Sequence, residues 1–117
     1  MVAQVSPGVS VAQHLSDALT QHNARVQPEG TGPVGAVIGL TASDAPELVE
    51  RLPRSLLLAP GLGAQGGSFD QLASRFASAK QRVLPSSSRG VLAAGPDERA
   101  LATAIAEHCR AANAALQ

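Results

Sequence analysis

Four glycines and one glutamine make residues 60–68 the segment of this sequence best suited to bind a small anion. The segment reads Pro-Gly-Leu-Gly-Ala-Gln-Gly-Gly-Ser and directly follows an apolar run at residues 56–59. Glycines allow a ligand to approach the main chain closely, so that backbone N–H groups can bind it. Gln65 adds a single side-chain amide. The segment therefore predicts a ligand-binding loop, and a merely flexible turn is the alternative.

A second candidate is the segment Ser-Ser-Ser-Arg-Gly at residues 86–90. Arg89 can make paired, charge-assisted hydrogen bonds to phosphate. Two successive loops after adjacent strands, one of them rich in glycine, form the phosphate site of many (β/α) barrels. The alternative for Arg89 is a surface ion pair with Asp97 or Glu98. Thr41 follows an earlier apolar run and should lie at the same edge, either as a structural cap or as a ligand contact.

Gly61, Gly63 and Gly66 also satisfy the dinucleotide-binding pattern G-x-G-x-x-G. In that fold the helix begins within the pattern, whereas an S-x-x-Q capping box here starts the helix at Ser68, after the last glycine. The acidic residue expected about 20 residues downstream is also missing. Arg89 could accommodate a 2′-phosphate instead, which leaves an NADP-binding Rossmann fragment as a lesser alternative.

Alternating strand and helix signals organise the chain into three units that follow a first helix. Ser10, Asp44 and Ser68 each precede Gln or Glu by three residues, the pattern of a capping box at a helix start. Short apolar runs predict the strands, and the first of them lacks polar alternation, which is typical of a strand buried on both faces. The predicted helices span about residues 11–25, 45–52, 69–79 and 97–116, and the predicted strands span about 34–41, 55–59 and 82–85.

This order, α-βα-βα-βα with short connections, predicts an α/β fold with a parallel sheet and helical crossovers, formed by residues 1–117 as one region. In such sheets ligands bind at the carboxyl ends of the strands. The loops that contain Gln65 and Arg89, together with Thr41, should therefore meet at one edge.

Composition excludes several classes of function. Nine Lys and Arg balance nine Asp and Glu, so no general attraction to nucleic acid or to a membrane surface is expected. No apolar run reaches the length of a membrane span, no secretory signal is present, and a lone cysteine cannot form an internal disulfide, which together predict a cytoplasmic protein.

The remaining reactive side chains are expected to be structural. His14, His22 and His108 lack metal-ligand spacing and should lie on helix surfaces or at the edge of the core, so no metal site is predicted. Cys109 follows the apolar period of the last helix and should be a small buried hydrophobe. The serines at 86–88 lack a G-x-S-x-G motif and have no histidine near them in the sequence, which argues against a nucleophile.

Four segments resemble orotidine 5′-phosphate decarboxylases of the subgroup common in bacteria such as actinomycetes: residues 32–41, residues 57–67, residues 87–94 and the helical tail. The resemblance covers nearly the whole chain and implies the carboxyl-terminal part of an eight-stranded (β/α) barrel, with strands six to eight present. It further implies a lyase of pyrimidine biosynthesis that converts orotidine 5′-phosphate (OMP) to UMP and CO2 without a metal or organic cofactor. Family members are commonly homodimers.

By resemblance, most of the two loops belongs to the substrate site. The residues implied to bind the phosphate are Gln65, Gly66, Gly67, Ser88 and Arg89, with Gln65 also reaching the pyrimidine side. The residues implied to line the pyrimidine pocket are Pro60, Gly61 and Leu62.

One departure from the family is large. Its catalytic lysine and aspartates, spaced D-x-K-x-x-D, have no counterpart here, and Lys80 is the only lysine. No catalytic residue is therefore expected, and the isolated chain should be inactive until the same or another chain supplies the remaining strands. An open piece of barrel should expose strand edges and an apolar inner face, which predicts homo-oligomers. The competing hypothesis is a non-catalytic module that binds a phosphate ligand and self-associates.

Overall fold

The computed structural model describes residues 4–63 and 65–117. The described residues begin with an antiparallel hairpin of β1 (Gln4–Ser6) and β2 (Val9–Ser10), which the sequence patterns did not predict. The elements that follow are α1 (Val11–Val26), β3 (Ala36–Val37), α2 (Ala45–Glu50), β4 (Leu57–Pro60), α3 (Phe69–Arg75), a 3-10 helix (Ala77–Ala79), β5 (Val83–Ser86), α4 (Arg89–Leu92) and α5 (Glu98–Ala115).

The three later strands form one parallel sheet in the order β3-β4-β5. β4 is the central strand, pairing with β3 on one side and with β5 on the other. Strands that are neighbours in the sheet are also consecutive in the chain, with helices in the crossovers. The predicted α/β class with parallel strands is therefore confirmed, and all three carboxyl ends lie at one edge.

The first strand is shorter than the predicted span of residues 34–41. Only Ala36–Val37 is regular strand, although Ile38 and Leu40 continue the ladder by donating N–H bonds of 2.9 Å to carbonyls of β4 and its end. Ile38 and Leu40 are buried, whereas Val37 is 67% exposed. The expectation of a strand covered on both faces is wrong, because helices cover one face only.

Two of the three predicted capping boxes are present. Ser10 accepts a bond from the Gln13 N–H, and the Gln13 side chain accepts one from the Ser10 N–H, both at 3.0 Å. Ser68 and Gln71 repeat the arrangement. Asp44 makes no side-chain cap bond. Its ψ of 6° is far from the extended backbone of the two serine caps, so the carboxylate is not directed at the free N–H groups of α2.

The hydrophobic core lies between the sheet and α2, α3 and the 3-10 helix. The largest completely buried apolar side chains are Phe76, Leu40, Leu52, Leu57, Leu72 and Val49. The predicted helix at 69–79 is divided into α3 and the 3-10 helix, and α4 forms where only a turn and a short apolar stretch were predicted. α5 begins after Asp97, whose carboxylate accepts a 2.8 Å bond from the Ala100 N–H.

The first helix exposes several of its apolar residues. Leu15 is 56% exposed and Val26 55%, while the buried residues of α1 are the polar Ser16 and Asn23. At 100° per residue, Leu15 and Val26 lie on one flank of the buried stripe. Asp17 lies on the other flank, where it pairs with Arg51 at the end of α2. The exposed apolar flank of α1 therefore faces away from the rest of the chain.

The last helix, α5, also exposes apolar residues on one flank. Ile105 is 51% exposed and Cys109 is exposed, so the prediction of a buried cysteine is wrong. Both lie on the flank of α5 away from α3, since Ala111 and Ala115 occupy the flank beside it. α5 thus packs on α3 and α4, and α1 packs on α2 and the hairpin, while the apolar flanks that hold Leu15 and Ile105 stay exposed.

The face of the sheet opposite the helices is apolar and open. Val37, Leu58 and Leu84 point to it and are 67%, 41% and 57% exposed. The chain exposes 7118 Å², whereas a compact monomer of this length exposes about 5,900 Å². Its radius of gyration, 15.9 Å, also exceeds the roughly 13.4 Å of a compact domain. These values describe an open layer of sheet and helices.

A polar network closes the amino-terminal edge of the sheet. Asn23 is completely buried, and its amide donates to the carbonyls of Val34 and Arg54 at 2.8 and 3.0 Å and to the Ser55 hydroxyl at 3.1 Å. Arg82 donates from Nη1 to the carbonyls of Leu52 and Ser55. Burial lowers the pKa of the Arg82 guanidinium, and the charge of Glu50 opposes that shift.

Candidate functional site

The two candidate loops meet in one cleft at the carboxyl ends of β4 and β5. The cleft has a volume of about 100 Å³ and is lined by Pro60, Gly61, Leu62, Gln65, Ser86, Ser88 and Arg89. The structure thus brings together the glutamine and the arginine that were singled out from the sequence. None of the lining residues is acidic.

Positive backbone angles shape the glycine loop. Gly61, Gly63 and Gly66 have φ values of +113°, +77° and +86°, which residues other than glycine rarely adopt. Three main-chain hydrogen bonds of 2.8–2.9 Å hold the loop together. The Gly67 N–H donates to the Gly61 carbonyl, and the Gly67 carbonyl accepts from the Gly63 N–H. In the third bond the Gly66 N–H donates to the Gly63 carbonyl. A β-carbon on Gly67 would lie 2.4 Å from the Gly61 carbonyl oxygen. The loop is therefore a closely packed turn, in contrast to the flexible turn that was the alternative.

Gln65 lies between Gly63 and Gly66 in this turn, and its side chain extends back toward Gly61. Its side-chain oxygen Oε1 lies 3.3 Å from the point that a β-carbon on Gly61 would occupy. The residue is exposed and, among the residues that the structure describes, its amide makes no hydrogen bond. The amide is thus available to a ligand.

Arg89 is the first residue of α4 and is also exposed. The alternative ion pair with Asp97 or Glu98 does not form: across residues 4–63 and 65–117, the only ion pair within 4.0 Å joins Arg51 and Asp17. Ser88 precedes the helix and makes no side-chain cap bond. The guanidinium and the hydroxyl beside it are therefore uncommitted within the described chain.

The backs of the two loops touch through glycines. A β-carbon on Gly63 would lie 3.7 Å from the Cα of Gly90, the residue after Arg89. Such an approach fixes the distance between the two walls of the cleft. His108 of α5 also approaches Gly90, because its Nε2 lies 3.3 Å from the point that a β-carbon there would occupy. The sequence had indicated no histidine near the serine run.

Not every expected residue reaches the cleft wall. Gly66 is exposed and Gly67 is buried under Gly61, and neither lines the cleft. Thr41 is exposed but does not line the cleft either. Ser86, which belongs to the candidate segment 86–90 but was not among the residues implied to bind the phosphate, does line it. Ser86 is the last residue of β5, and Ser88 directly precedes α4.

The geometry does not fit a dinucleotide fingerprint. α3 begins after the cap at Ser68, beyond the last glycine of the G-x-G-x-x-G pattern. The glycines therefore form a loop, and no helix N-terminus is built into it as the dinucleotide fold requires.

The three histidines all lie on helices in the described part of the chain. His14 and His22 are exposed on α1, whereas the Nδ1 of His108 bonds to the Ala104 carbonyl at 2.8 Å. Within residues 4–63 and 65–117, no group of three His, Cys, Asp or Glu side chains is close enough to hold a metal ion. No helix there is both long enough and apolar enough to cross a membrane.

Curated relatives match nearly the whole chain. The orotidine 5′-phosphate decarboxylase of Myxococcus xanthus is 42% identical over 108 residues, which cover 92% of this chain and 38% of the relative. That of Salinispora arenicola is 45% identical over 113 residues, covering 94% and 40% respectively. The chain belongs to the orotidine 5′-phosphate decarboxylase family and corresponds to its carboxyl-terminal portion. It spans about two fifths of the length of these relatives. No family model matches it.

Solved structures show the same relationship. A crystal structure from Streptomyces avermitilis, assigned as an orotidine 5′-phosphate decarboxylase, is 39% identical and superposes with a TM-score of 0.78 over 97% of this chain and 39% of that one. A Toxoplasma gondii structure, 22% identical with a TM-score of 0.71, shares the fold. The described chain is thus a part of a (β/α) barrel, as the resemblance had implied.

Proposed function

We propose that the cleft between the glycine loop and α4 binds the phosphate group of OMP or UMP in an orotidine 5′-phosphate decarboxylase whose other strands come from elsewhere. The observation that carries the proposal is the meeting of Gln65 and Arg89 at one small cleft. Family membership supports the choice of substrate, since the relatives are named for it.

The composition of the cleft wall favours a phosphate over other ligands. Arg89 supplies the one charged side chain, and Gln65, Ser86 and Ser88 supply neutral donors, with no carboxylate to repel an anion. A guanidinium and a phosphate form paired, charge-assisted hydrogen bonds. At about 100 Å³ the cleft suits a single phosphoryl group better than the pyrophosphate of a dinucleotide. Pro60, Gly61 and Leu62 would then face the pyrimidine side.

The phosphate site would act at a distance from the reacting carbon. Binding energy from a remote group contributes to catalysis when it helps to close the site around the transition state. The reaction breaks the bond between C6 of the pyrimidine and its carboxylate, releases CO2 and leaves a carbanion that takes up a proton to give UMP. This chain would contribute binding, and the missing strands would contribute the lysine and the carboxylates.

The isolated chain is therefore expected to be inactive. Its only lysine, Lys80, precedes β5 and donates to the main-chain carbonyl of Gln117 at 2.8 Å, whereas the cleft lies beyond the other end of that strand. No second lysine is available to protonate a carbanion.

The exposed apolar surfaces support association with the remaining strands. They lie on the inner face of the sheet and on the outer flanks of α1 and α5. These are the three places where the closed barrel of the family would continue. The partner is expected to be the amino-terminal portion of such a barrel, supplied by the same or another chain.

Reconstitution tests the proposed function. The chain would be mixed with the separately expressed amino-terminal portion of the Myxococcus xanthus relative, and the loss of OMP followed by absorbance. The proposal predicts activity in the mixture and none in either part alone. UMP binding by the chain alone, with no rescue by the partner, would instead favour the non-catalytic module. Absence of both binding and rescue would contradict both hypotheses.

A further inference from the structure

The walls of the cleft are linked from behind by His108, which stands outside the cleft itself. Its ring packs edge-on against Phe69, with centroids 5.9 Å apart and an angle of 65° between the planes. Phe69 is the first residue of α3, directly after the glycine loop and its cap. On its other side, the ring approaches Gly90, directly after Arg89. One side chain of α5 therefore contacts both structural supports of the cleft.

The hydrogen bond at Nδ1 fixes the chemistry of the other ring nitrogen. A main-chain carbonyl can only accept, so the 2.8 Å contact with Ala104 requires a proton on Nδ1 of His108. In a neutral imidazole, Nε2 is then an acceptor. This nitrogen faces the space beside the Cα of Gly90.

A buried hydroxyl faces the same space. The Oγ of Ser87 lies 2.8 Å from the position of a β-carbon on Gly90, and the Nε2 of His108 lies 3.3 Å from it. The Ser87 oxygen is shielded from solvent and, among the described residues, has no hydrogen-bond partner. A buried hydroxyl without a partner is costly. Because Gly90 has no side chain, the space between the Ser87 hydroxyl and Nε2 of His108 is open.

We propose that Ser87 donates a hydrogen bond to Nε2 of His108 across this gap, directly or through one water. This hydrogen-bonded pair positions the first residues of α4, Arg89 and Gly90, against α5. His108 is then a positioning residue: it touches no substrate but holds the two walls of the cleft in register. The pair exists independently of any ligand, while its effect on substrate binding rests on the proposed function.

The hydrogen bond can be tested on the 117-residue chain alone. Nitrogen-15 NMR of the histidine rings distinguishes the two neutral tautomers and detects a bond to an unprotonated ring nitrogen. The proposal predicts the Nδ1–H tautomer at His108 and a change in its Nε2 shift on Ser87→Ala, with His14 and His22 unchanged as internal controls. An Nε2–H tautomer, or a shift insensitive to Ser87→Ala, would overturn it.

The positioning role is tested in the reconstituted barrel. His108→Leu fills the volume but removes the acceptor, and it should raise KM for OMP about two- to tenfold, the range of one hydrogen bond, with kcat much less affected. His108→Gln can still present an acceptor to Ser87 and should restore most of the affinity. A double variant with Ser87→Ala should be no worse than either single one.

These outcomes separate the two proposals. If Arg89→Ala leaves KM unchanged, the phosphate assignment fails while the NMR result for the pair still stands. If Arg89→Ala raises KM but His108→Leu does not, or if His108→Gln is as impaired as His108→Leu, the positioning role is wrong.

Discussion

Both edges of the sheet carry a carboxamide and an arginine, but these side chains have opposite surroundings at the two edges. At the amino-terminal edge, Asn23 is completely buried and Arg82 is bonded to two carbonyls. At the carboxyl-terminal edge, Gln65 and Arg89 are exposed and, within the described residues, their side chains make no hydrogen bonds. Side chains of the same kinds therefore stabilise the fold at one edge and remain available to a ligand at the other, which is the division of labour found in (β/α) barrels.

The strongest test of the comparison is Asn23→Ala. The change leaves the N–H and the carbonyl of Val34 without their partner and removes one of the two bonds to the Arg54 carbonyl, so the free energy of unfolding should fall by about 3 kcal/mol. Urea unfolding of the chain measures this. Asn113→Ala, at an exposed site on α5, is the matched control and should change stability by less than about 0.5 kcal/mol. Equal losses in the two variants would remove the special status of the amino-terminal edge.

Arg89→Ala should have the opposite profile. It removes a charge-assisted bond worth about 1.5 to 3 kcal/mol, so KM for OMP in the reconstituted barrel should rise about 10- to 150-fold. The unfolding curve of the chain should be unchanged, because the side chain has no partner in the described part of the fold. Arg110→Ala, an exposed arginine of α5, should alter neither quantity. A stability loss with an unchanged KM would make Arg89 a structural residue.

Two neighbouring glycines separate packing from backbone strain in the loop. Gly67→Ala forces a β-carbon against the Gly61 carbonyl and the Leu40 side chain, and should cost about 1 to 3 kcal/mol of stability. Gly66→Ala meets no atom within 4 Å and should cost only the strain of its positive φ, about 1 kcal/mol. Thermal unfolding ranks the two. The reverse order would show that the turn is not packed as described.

The smallest effects are expected from a pair of serines. Ser55 is buried and accepts a bond from Asn23, so Ser55→Ala should lower stability by about 1 kcal/mol and leave KM unchanged. Ser86→Ala should raise KM by about two- to tenfold at constant stability. If both serines affect the same quantity, the two edges do not differ in the way proposed.

Local signals in the sequence predicted the carboxyl-terminal edge well. The cap at Ser68 depends on a residue three positions away, and the glycine pattern is contiguous, so both were visible without tertiary information. The strand order then brought Gln65 and Arg89 to one cleft. Asp44 shows the limit of such signals, because the same spacing made no cap where the backbone was not extended.

The amino-terminal edge was not predicted, because its partners are distant in the chain. Asn23 bonds to groups 11 to 32 residues away, and nothing in the helix containing it marks it as buried. Helical periodicity also misplaced Cys109, which is in phase with the apolar residues of the last helix but is exposed. Periodicity shows which side of a helix is apolar, whereas the burial of that side depends on which elements pack against it.

The central claim is that Gln65 and Arg89 bind one phosphate together. Its most direct test is a crystal structure of the reconstituted complex with UMP. The account predicts phosphate oxygens within about 3 Å of both the Gln65 amide and the Arg89 guanidinium, the usual hydrogen-bond distance. A phosphate held at any other place, with this cleft filled by solvent or by side chains, would contradict it.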